Sequence, residues 1–226
     1  MKYIIQSFIL LILSALSFAT PLNIYIEYDI LNENEQNGCG VVFYNLYEGM
    51  FMQVLEPVNQ RVRMNPEEFI YYYPNKNIAM LMNNRNGTLA SIPIQLFLNT
   101  GSEDLGLSSI GFSLKDHIIR QDTLIKIWEL KGKKKREYIH IDVYIHDKQV
   151  FKTESYDGNE KLIKKVGYYN WKELDNYSYP MRLRINENEI WIEYNFYNLT
   201  KLDTIPDSVY QAFKLPEDCD IYEYTW

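Results

Sequence analysis

Residues 61–82 read RVRMNPEEFIYYYPNKNIAMLM, a stretch in which bulky apolar side chains alternate along two segments separated by prolines. Because a pleated strand sends successive side chains to opposite faces, this alternation predicts two β-strands. Such aromatic and methionine side chains either fill a core or form a surface that receives an apolar partner. We expect alternate residues of the first strand to line one surface and those of the second strand another: Phe69, Tyr71 and Tyr73, then Ile78, Met80 and Met82.

Further segments alternate in the same way and are separated by turn residues. In the clearest, Ile139, Ile141, Val143 and Ile145 alternate with polar and aromatic neighbours, which is typical of a half-buried antiparallel strand. The dipeptide Asp157-Gly158 is a strong hairpin signal. The pattern predicts a meander of sequential hairpins, formed by residues 123–130, 138–146, 149–155, 161–169, 181–185 and 190–196.

Helical signals are few. Ser91–Leu98 has a serine cap, an early proline at Pro93 and an apolar run, which predicts one short helix. A second turn or two is expected over residues 207–213, after Pro206. The many tyrosine and phenylalanine residues favour strands elsewhere, so the fold class is mainly β, with a small α component.

The first 19 residues have the pattern of an export signal. Lys2 precedes an apolar run over residues 4–16, and Ser17-Phe18-Ala19 offers small residues where a signal peptidase reads them. The alternative is an uncleaved membrane anchor, but the run is shorter than the roughly 20 apolar residues of a spanning helix. We therefore expect cleavage before Thr20, export to the periplasm, and a single domain over residues 20–226.

The net charge and the two cysteines give further information about the class of protein. The net charge of −7 argues against nucleic-acid binding, which requires a basic face. Cys39 and Cys219 are the two cysteines of the sequence. In an exported chain they either form a disulfide or remain two free thiols, and the sequence leaves both alternatives open.

No pattern in the chain indicates catalysis. His140, Asp142 and His146 share the polar side of one strand, but six residues of strand separate the two imidazoles by roughly 20 Å, too far for one metal ion. His117 has no nucleophile near it in sequence. The basic cluster at residues 131–136 is expected to be a solvated hairpin loop. We predict a protein that is not an enzyme and has no cofactor or metal.

The segment NPEEFIYYYP, residues 65–74, resembles the signature of the LolA family, the periplasmic carriers of outer-membrane lipoproteins. In that family an aromatic-rich strand stands between two prolines, and a short helix and central hairpins follow in an order similar to Ser91–Leu98 and residues 123–169. The resemblance covers roughly residues 45–224. It implies a LolA/LolB-like incomplete antiparallel β-barrel, a half-barrel whose concave face is covered by short helices.

The resemblance also implies a cavity for acyl chains and a latch that holds a lid over it. The family's latch arginine falls at Asn65, with Arg63 two residues away, which is a shift of roughly 7 Å along a strand. The family's long first helix has no counterpart before Tyr44. The expected cavity residues are Phe51, Val62, Met64, Phe69, Tyr71, Tyr73, Ile78, Met80, Met82, Ile94, Leu96 and Phe97.

By this resemblance the protein is a monomer that shelters the acyl chains of a lipid or an acylated lipoprotein, in transport towards the outer membrane. Its partners would be that cargo and membrane-bound delivery or acceptor proteins. The alternative is a secreted β-rich interaction module that binds a surface protein or a glycan through exposed tyrosines, also without catalysis.

Overall fold

The structure, a computed structural model, describes most of the chain after residue 22. The predicted export signal, its cleavage position at Ala19, the predicted helix as far as residue 96 with the cavity residues Ile94 and Leu96, and the basic cluster at residues 131–136 lie outside the described residues. The described residues are 23–32, 35–45, 48–65, 68–83, 97–98, 100, 104–108, 111–130, 140–175, 177–187 and 189–224.

Fourteen strands form one sheet. They are β1 (Asn23–Asn32), β2 (Glu35–Asn45), β3 (Gly49–Glu56), β4 (Gln60–Met64), β5 (Glu68–Tyr73), β6 (Ile78–Asn83), β7 (Phe112–Arg120), β8 (Thr123–Leu130), β9 (His140–His146), β10 (Gln149–Tyr156), β11 (Leu162–Leu174), β12 (Tyr177–Glu187), β13 (Ile190–Leu202) and β14 (Asp220–Tyr224). Helical structure within the described residues comprises α1 (Asp207–Ala212), a 3-10 turn at Pro74–Lys76, and Phe97 with Leu98.

The strands follow the order β14-β6-β5-β4-β3-β2-β1-β13-β12-β11-β10-β9-β8-β7, so the sheet is open, with β14 and β7 at its edges. All neighbours are antiparallel except β14 and β6. The predicted meander is confirmed, because β7 to β13 pair in sequence order. One strand pairing joins segments that are far apart in sequence: β1, at the start of the described chain, pairs with β13, near its end.

The sheet is strongly curved. Five strand spacings separate β5 from β13, which would place them about 24 Å apart on a flat sheet. Nevertheless, Tyr71 on β5 and Tyr194 on β13 pack against the same hydrophobic core, and the Tyr71 hydroxyl contributes to the raised pKa of Tyr194. The two side chains therefore face each other across a concave surface, which we call the interior face; the opposite surface is the outer face.

The main hydrophobic core lies on the interior face. Phe97, from the predicted helix, packs onto this face, with its ring 5.2 Å from that of Tyr179 and 4.4 Å from that of Phe196. Burial of this extent is the main source of stability in a sheet of this kind. The buried members are Ile24, Ile26, Tyr28, Val42, Met50, Val62, Met64, Phe69, Phe97, Val166, Tyr168, Tyr179, Leu183, Ile185, Phe196 and Leu199.

The C-terminal segment covers part of the outer face. Val209 of α1 and Phe213 pack on Phe51, whose side chain leaves β3 on the side opposite the core. Further on, Leu215 and Cys219 pack against the outer sides of β5 and β6 before β14 begins. The expectation of helices over the concave face is therefore wrong for α1, which lies on the outer face.

Cys39 and Cys219 are free thiols. Cys39 lies on β2 and Cys219 immediately precedes β14, so β3, β4, β5 and β6 separate them in the sheet. Both cysteines lie on the outer, convex face, where the curvature turns the side chains of separate strands away from each other, whereas a disulfide requires Cα atoms within about 7 Å. The disulfide alternative is therefore wrong, and the alternative of two free thiols holds.

A close contact between Tyr28 and Gly40 fixes the middle of the interior face. A β-carbon on Gly40 would lie 2.4 Å from the Gln53 carbonyl oxygen and 2.4 Å from the Tyr28 hydroxyl oxygen. The tyrosine ring therefore occupies the space that a side chain at position 40 would need. Gly40 is required here for close approach, because β2 runs beneath the ring of its neighbour on β1.

We expect Gly40→Val to destabilise the protein by about 2–3 kcal/mol, since the new side chain meets both the backbone of β3 and the Tyr28 ring. Urea denaturation measures the free energy of unfolding. Val41→Thr, a change on the next residue, whose side chain points to the other face, is the matched control and should stay within about 1 kcal/mol. Equal stability of the two variants would contradict the tight contact.

Candidate functional site

The two apolar stripes of residues 61–82 meet on the interior face. Strands β5 and β6 pair so that Phe69 opposes Met82, Tyr71 opposes Met80, and Tyr73 opposes Ile78. Directly opposed residues of an antiparallel pair point to the same side of a sheet. The expectation that these stripes line different surfaces is therefore wrong. The register combines them into one apolar wall.

Strands β4 and β3 extend this wall. Val62 opposes Tyr71 and Met64 opposes Phe69, so both predicted residues lie on the interior face. Across the next pair, Met52 opposes Val62 and Met50 opposes Met64. The interior face of these strands is thus rich in methionine, a flexible and polarisable side chain that adapts its shape to apolar partners.

Phe51 is the predicted cavity residue that the structure places elsewhere. It opposes Arg63 on β4 and Phe43 on β2, and packs beneath α1 on the outer face. The residues that reach the interior from this strand are its neighbours Met50 and Met52, which the sequence prediction missed. The alternation in GMFMQV was visible, but it does not tell which of its two faces is the interior.

The opposite wall of the interior face comes from β1 and from β11 to β13. The ring centroids of Tyr28 and Tyr194 are 6.4 Å apart. The ring centroids of Tyr194 and Phe196 are also 6.4 Å apart. Tyr168, Leu183 and Ile185 complete this wall. These residues were absent from the prediction, because their role depends on the pairing of β1 with β13, which local patterns do not reveal.

On β1 to β6 the described side chains of the interior face carry no charge. Arg61, Arg63 and Glu68 of this region all point to the outer face. Charges occur on the interior face further along the sheet, where the Lys164 ammonium lies 3.1 Å from the Glu187 carboxylate. The half of the interior around Tyr71 is therefore a continuous uncharged surface.

The interior tyrosines remain neutral hydroxyl groups. Burial raises the pKa of Tyr28 and of Tyr71, and burial together with the nearby Tyr71 raises the pKa of Tyr194 to about 12. Desolvation disfavours a phenolate, so each group retains its proton at physiological pH. This surface can therefore pack against apolar groups and donate neutral hydrogen bonds.

Arg63 and Asn65, the predicted latch residues, lie at the turn between β4 and β5. Arg63 forms an ion pair with Glu68 on the outer face. Asn65 shapes the β4–β5 turn, because its Oδ1 accepts a hydrogen bond from the Glu68 backbone N–H at 2.8 Å. Both side chains contribute to this turn, so the structure places them away from the interior face that the predicted latch would close.

The polar side of β9 belongs to a network on the outer face. The Glu154 carboxylate accepts hydrogen bonds from the hydroxyls of Tyr144, at 2.7 Å, and Tyr156, at 3.2 Å. Burial would raise the pKa of Glu154, but these bonds and Lys152 hold it below its ordinary value. His140 stacks on Tyr156 with ring centroids 4.4 Å apart. Within the described residues, no group of three or more His, Cys, Asp and Glu side chains could hold a metal ion.

Exposed aromatic residues are the feature on which the alternative of an interaction module depends. Two of them are already stacked by arginines: Arg182 lies 5.7 Å from the centre of the Tyr169 ring, and Arg184 lies 4.6 Å from that of Trp191. Such cation–π contacts occupy one face of each ring. These two rings are therefore only partly available to a partner.

Comparison with known proteins finds solved structures with a similar fold, but no similar sequence. No protein-family profile matches the sequence, and no curated protein matches it significantly. The LolA superfamily protein NE2245 from Nitrosomonas europaea is 15% identical, with a TM-score of 0.56, over 85% of this chain and 90% of that one. A putative outer membrane lipoprotein-sorting protein domain from Vibrio parahaemolyticus is 14% identical, with a TM-score of 0.60, over 90% of this chain and 95% of that one.

A third structure with a similar fold is a DUF1329 family protein from Desulfovibrio piger, which is 11% identical, with a TM-score of 0.59, over 90% of this chain and 95% of that one. At these identities the similarity concerns the fold. The chain therefore has a LolA-like fold, and the resemblance found in residues 65–74 is confirmed at that level. No helix among the described residues is long and apolar enough to span a membrane.

The position of Phe51 gives a direct test of the two faces. We expect Phe51→Ala to lower the free energy of unfolding by about 3–5 kcal/mol, because it leaves a cavity beneath α1. Binding of a neutral apolar fluorophore, N-phenyl-1-naphthylamine, should be unchanged in the folded variant. The milder Phe51→Leu provides a folded sample if the alanine variant is unstable. A folded variant that no longer binds the fluorophore would contradict the placement of Phe51 on the outer face.

Proposed function

We propose that this protein is a non-enzymatic, carrier-like lipid-binding protein that shelters acyl chains on its interior face. The observation that supports this most is the continuous, uncharged surface of aromatic and methionine side chains across β1 to β6, on the concave side of an open sheet. The LolA-like fold is a second support, since one protein of similar fold is described as lipoprotein-sorting.

The physical basis is the transfer of methylene groups out of water. Each buried methylene contributes about 0.8 kcal/mol, so one long acyl chain binds appreciably without a polar anchor. Met50, Met52, Met64, Met80 and Met82 adapt to chains of different shape because the side chain has three rotatable bonds. A reactive group has no part in this function.

The export signal in residues 1–19 supports a periplasmic location. There the cargo would be a lipid or an acylated lipoprotein destined for the outer membrane. Membrane-bound delivery and acceptor proteins would be the partners, because an acyl chain that leaves one membrane must be released into another.

Native mass spectrometry of protein purified from its own host provides the direct test. We expect a fraction of the molecules to carry acyl-containing lipid, identified by extraction and tandem mass spectrometry. Protein that is empty in every preparation, and that fails to take up a fatty acyl ester from vesicles, would refute the proposal.

Neighbouring residues on β6 allow a matched pair of variants. Met82 lies on the interior face and Leu81 on the outer face, and both are partly buried. We expect Met82→Gln to weaken the binding of a long acyl ester about fivefold, which corresponds to roughly one lost methylene contact of 0.8–1 kcal/mol. Leu81→Gln should alter the affinity less than twofold, within about 0.4 kcal/mol.

Affinity is measured by displacement of N-phenyl-1-naphthylamine, and thermal unfolding of each variant shows that both remain folded. Equal effects of the two substitutions would mean that the interior face is not the binding surface.

A further inference from the structure

A buried hydroxyl on the interior face lacks a partner. Tyr28 is 1% exposed, and its hydroxyl oxygen has no hydrogen-bond partner among the groups around it. Buried tyrosine hydroxyls are usually hydrogen-bonded, and an unsatisfied one destabilises the folded state. A phenylalanine would fill the same space over Gly40 without that cost. The hydroxyl therefore requires an explanation beyond packing.

Two further phenols converge on the same region. The rings of Tyr28 and Tyr194 are 6.4 Å apart, and Tyr71, which opposes Val62 on β4, packs with Tyr194 against the same core. Tyr71 and Tyr194 pack against the core but retain partial exposure, whereas Tyr28 lies beneath. Tyr28 therefore forms the floor of this group, and the other two rings lie nearer to solvent.

The chemistry of this trio defines the group that would fit it. Three neutral hydroxyls offer hydrogen-bond donors, and the surrounding strands β1 to β6 bring no cation to the interior face within the described residues. An anionic headgroup would lose its hydration here without gaining a counter-charge, which is expensive. A neutral carbonyl oxygen needs only a donor, and it is the polar atom that every ester- or amide-linked acyl chain carries.

We propose that the hydroxyls of Tyr28, Tyr71 and Tyr194 form a carbonyl-binding subsite, which accepts the ester or amide carbonyl that joins an acyl chain to the rest of its molecule. The inference rests on the proposed function and adds to it the part of the ligand that is recognised. It predicts a preference for acyl esters over hydrocarbons of the same length.

The test compares methyl laurate with an unbranched alkane of the same chain length, each displacing N-phenyl-1-naphthylamine from the full mature chain. The wild-type protein should prefer the ester, after correction for the different aqueous solubilities of the two ligands. Tyr28→Phe should reduce that preference about fivefold, the effect of one net hydrogen bond of about 1 kcal/mol, while the affinity for the alkane stays constant. Tyr71→Phe and Tyr194→Phe should act in the same direction.

Tyr168→Phe is the matched control. Tyr168 is buried on the same face, but its hydroxyl already lies 3.4 Å from the Thr153 hydroxyl, so its removal should leave the preference for the ester unchanged. The melting temperature of ligand-free Tyr28→Phe gives an independent measurement. It should equal or exceed that of the wild type, because the substitution removes an unsatisfied polar group.

Three results would overturn the inference. If the wild type binds ester and alkane equally, the carbonyl is not recognised, although the proposed lipid-binding function stands. If Tyr28→Phe lowers the melting temperature and keeps the preference for the ester, the hydroxyl serves the fold. If neither ligand displaces the fluorophore, the proposed function and the subsite fail together.

Discussion

In an antiparallel ladder, directly opposed residues point to the same face, and this constraint determines how the fourteen strands divide into two surfaces. The pairing of Phe69 with Met82 determines which residues of β5 and β6 point to the interior face. The pairings of Tyr71 with Val62 and of Val62 with Met52 determine the same for β4 and β3. A slip of one residue would bring Arg61 and Arg63 onto the interior face, at the cost of burying unpaired charges. The uncharged interior is therefore both a consequence of the register and a reason for its stability.

The outer face of the sheet packs against the C-terminal segment. There Phe51 supports α1, and Leu215 and Cys219 attach the C-terminal segment to β5 and β6. Tyr210 adds a hydrogen bond to Glu48 beside the β2–β3 turn. These contacts stabilise the curved sheet on its outer face. Because these contacts lie on the outer face, the concave side is left to the aromatic and methionine residues of the main core.

The sequence predicted the strands well and their faces only in part. Alternation is a local signal, so the strand His140–His146 and the hairpin at Asp157-Gly158 were found correctly, as were the strands within residues 61–82, although their two stripes share one surface. Local signals do not show which side of a strand is the interior, which explains the error at Phe51. Nor do they reveal that β1 pairs with β13, the contact that brings Tyr28 and Tyr194 together.

The choice of tyrosine over phenylalanine on a buried, uncharged face suits the carrier-like function that we propose, in which a bound lipid must be released. A charged anchor in this surface would hold an anionic ligand strongly but would be costly to leave empty, because a buried ion without a partner is severely destabilised. Neutral phenols, kept protonated by burial, cost far less when vacant and contribute only about 1 kcal/mol each when occupied. In the proposed function, affinity would depend mainly on the length of the acyl chain, and the hydroxyls would add a preference for its carbonyl without making release slow. Transfer of a lipid between two membranes, as we propose it, requires a moderate affinity of this kind.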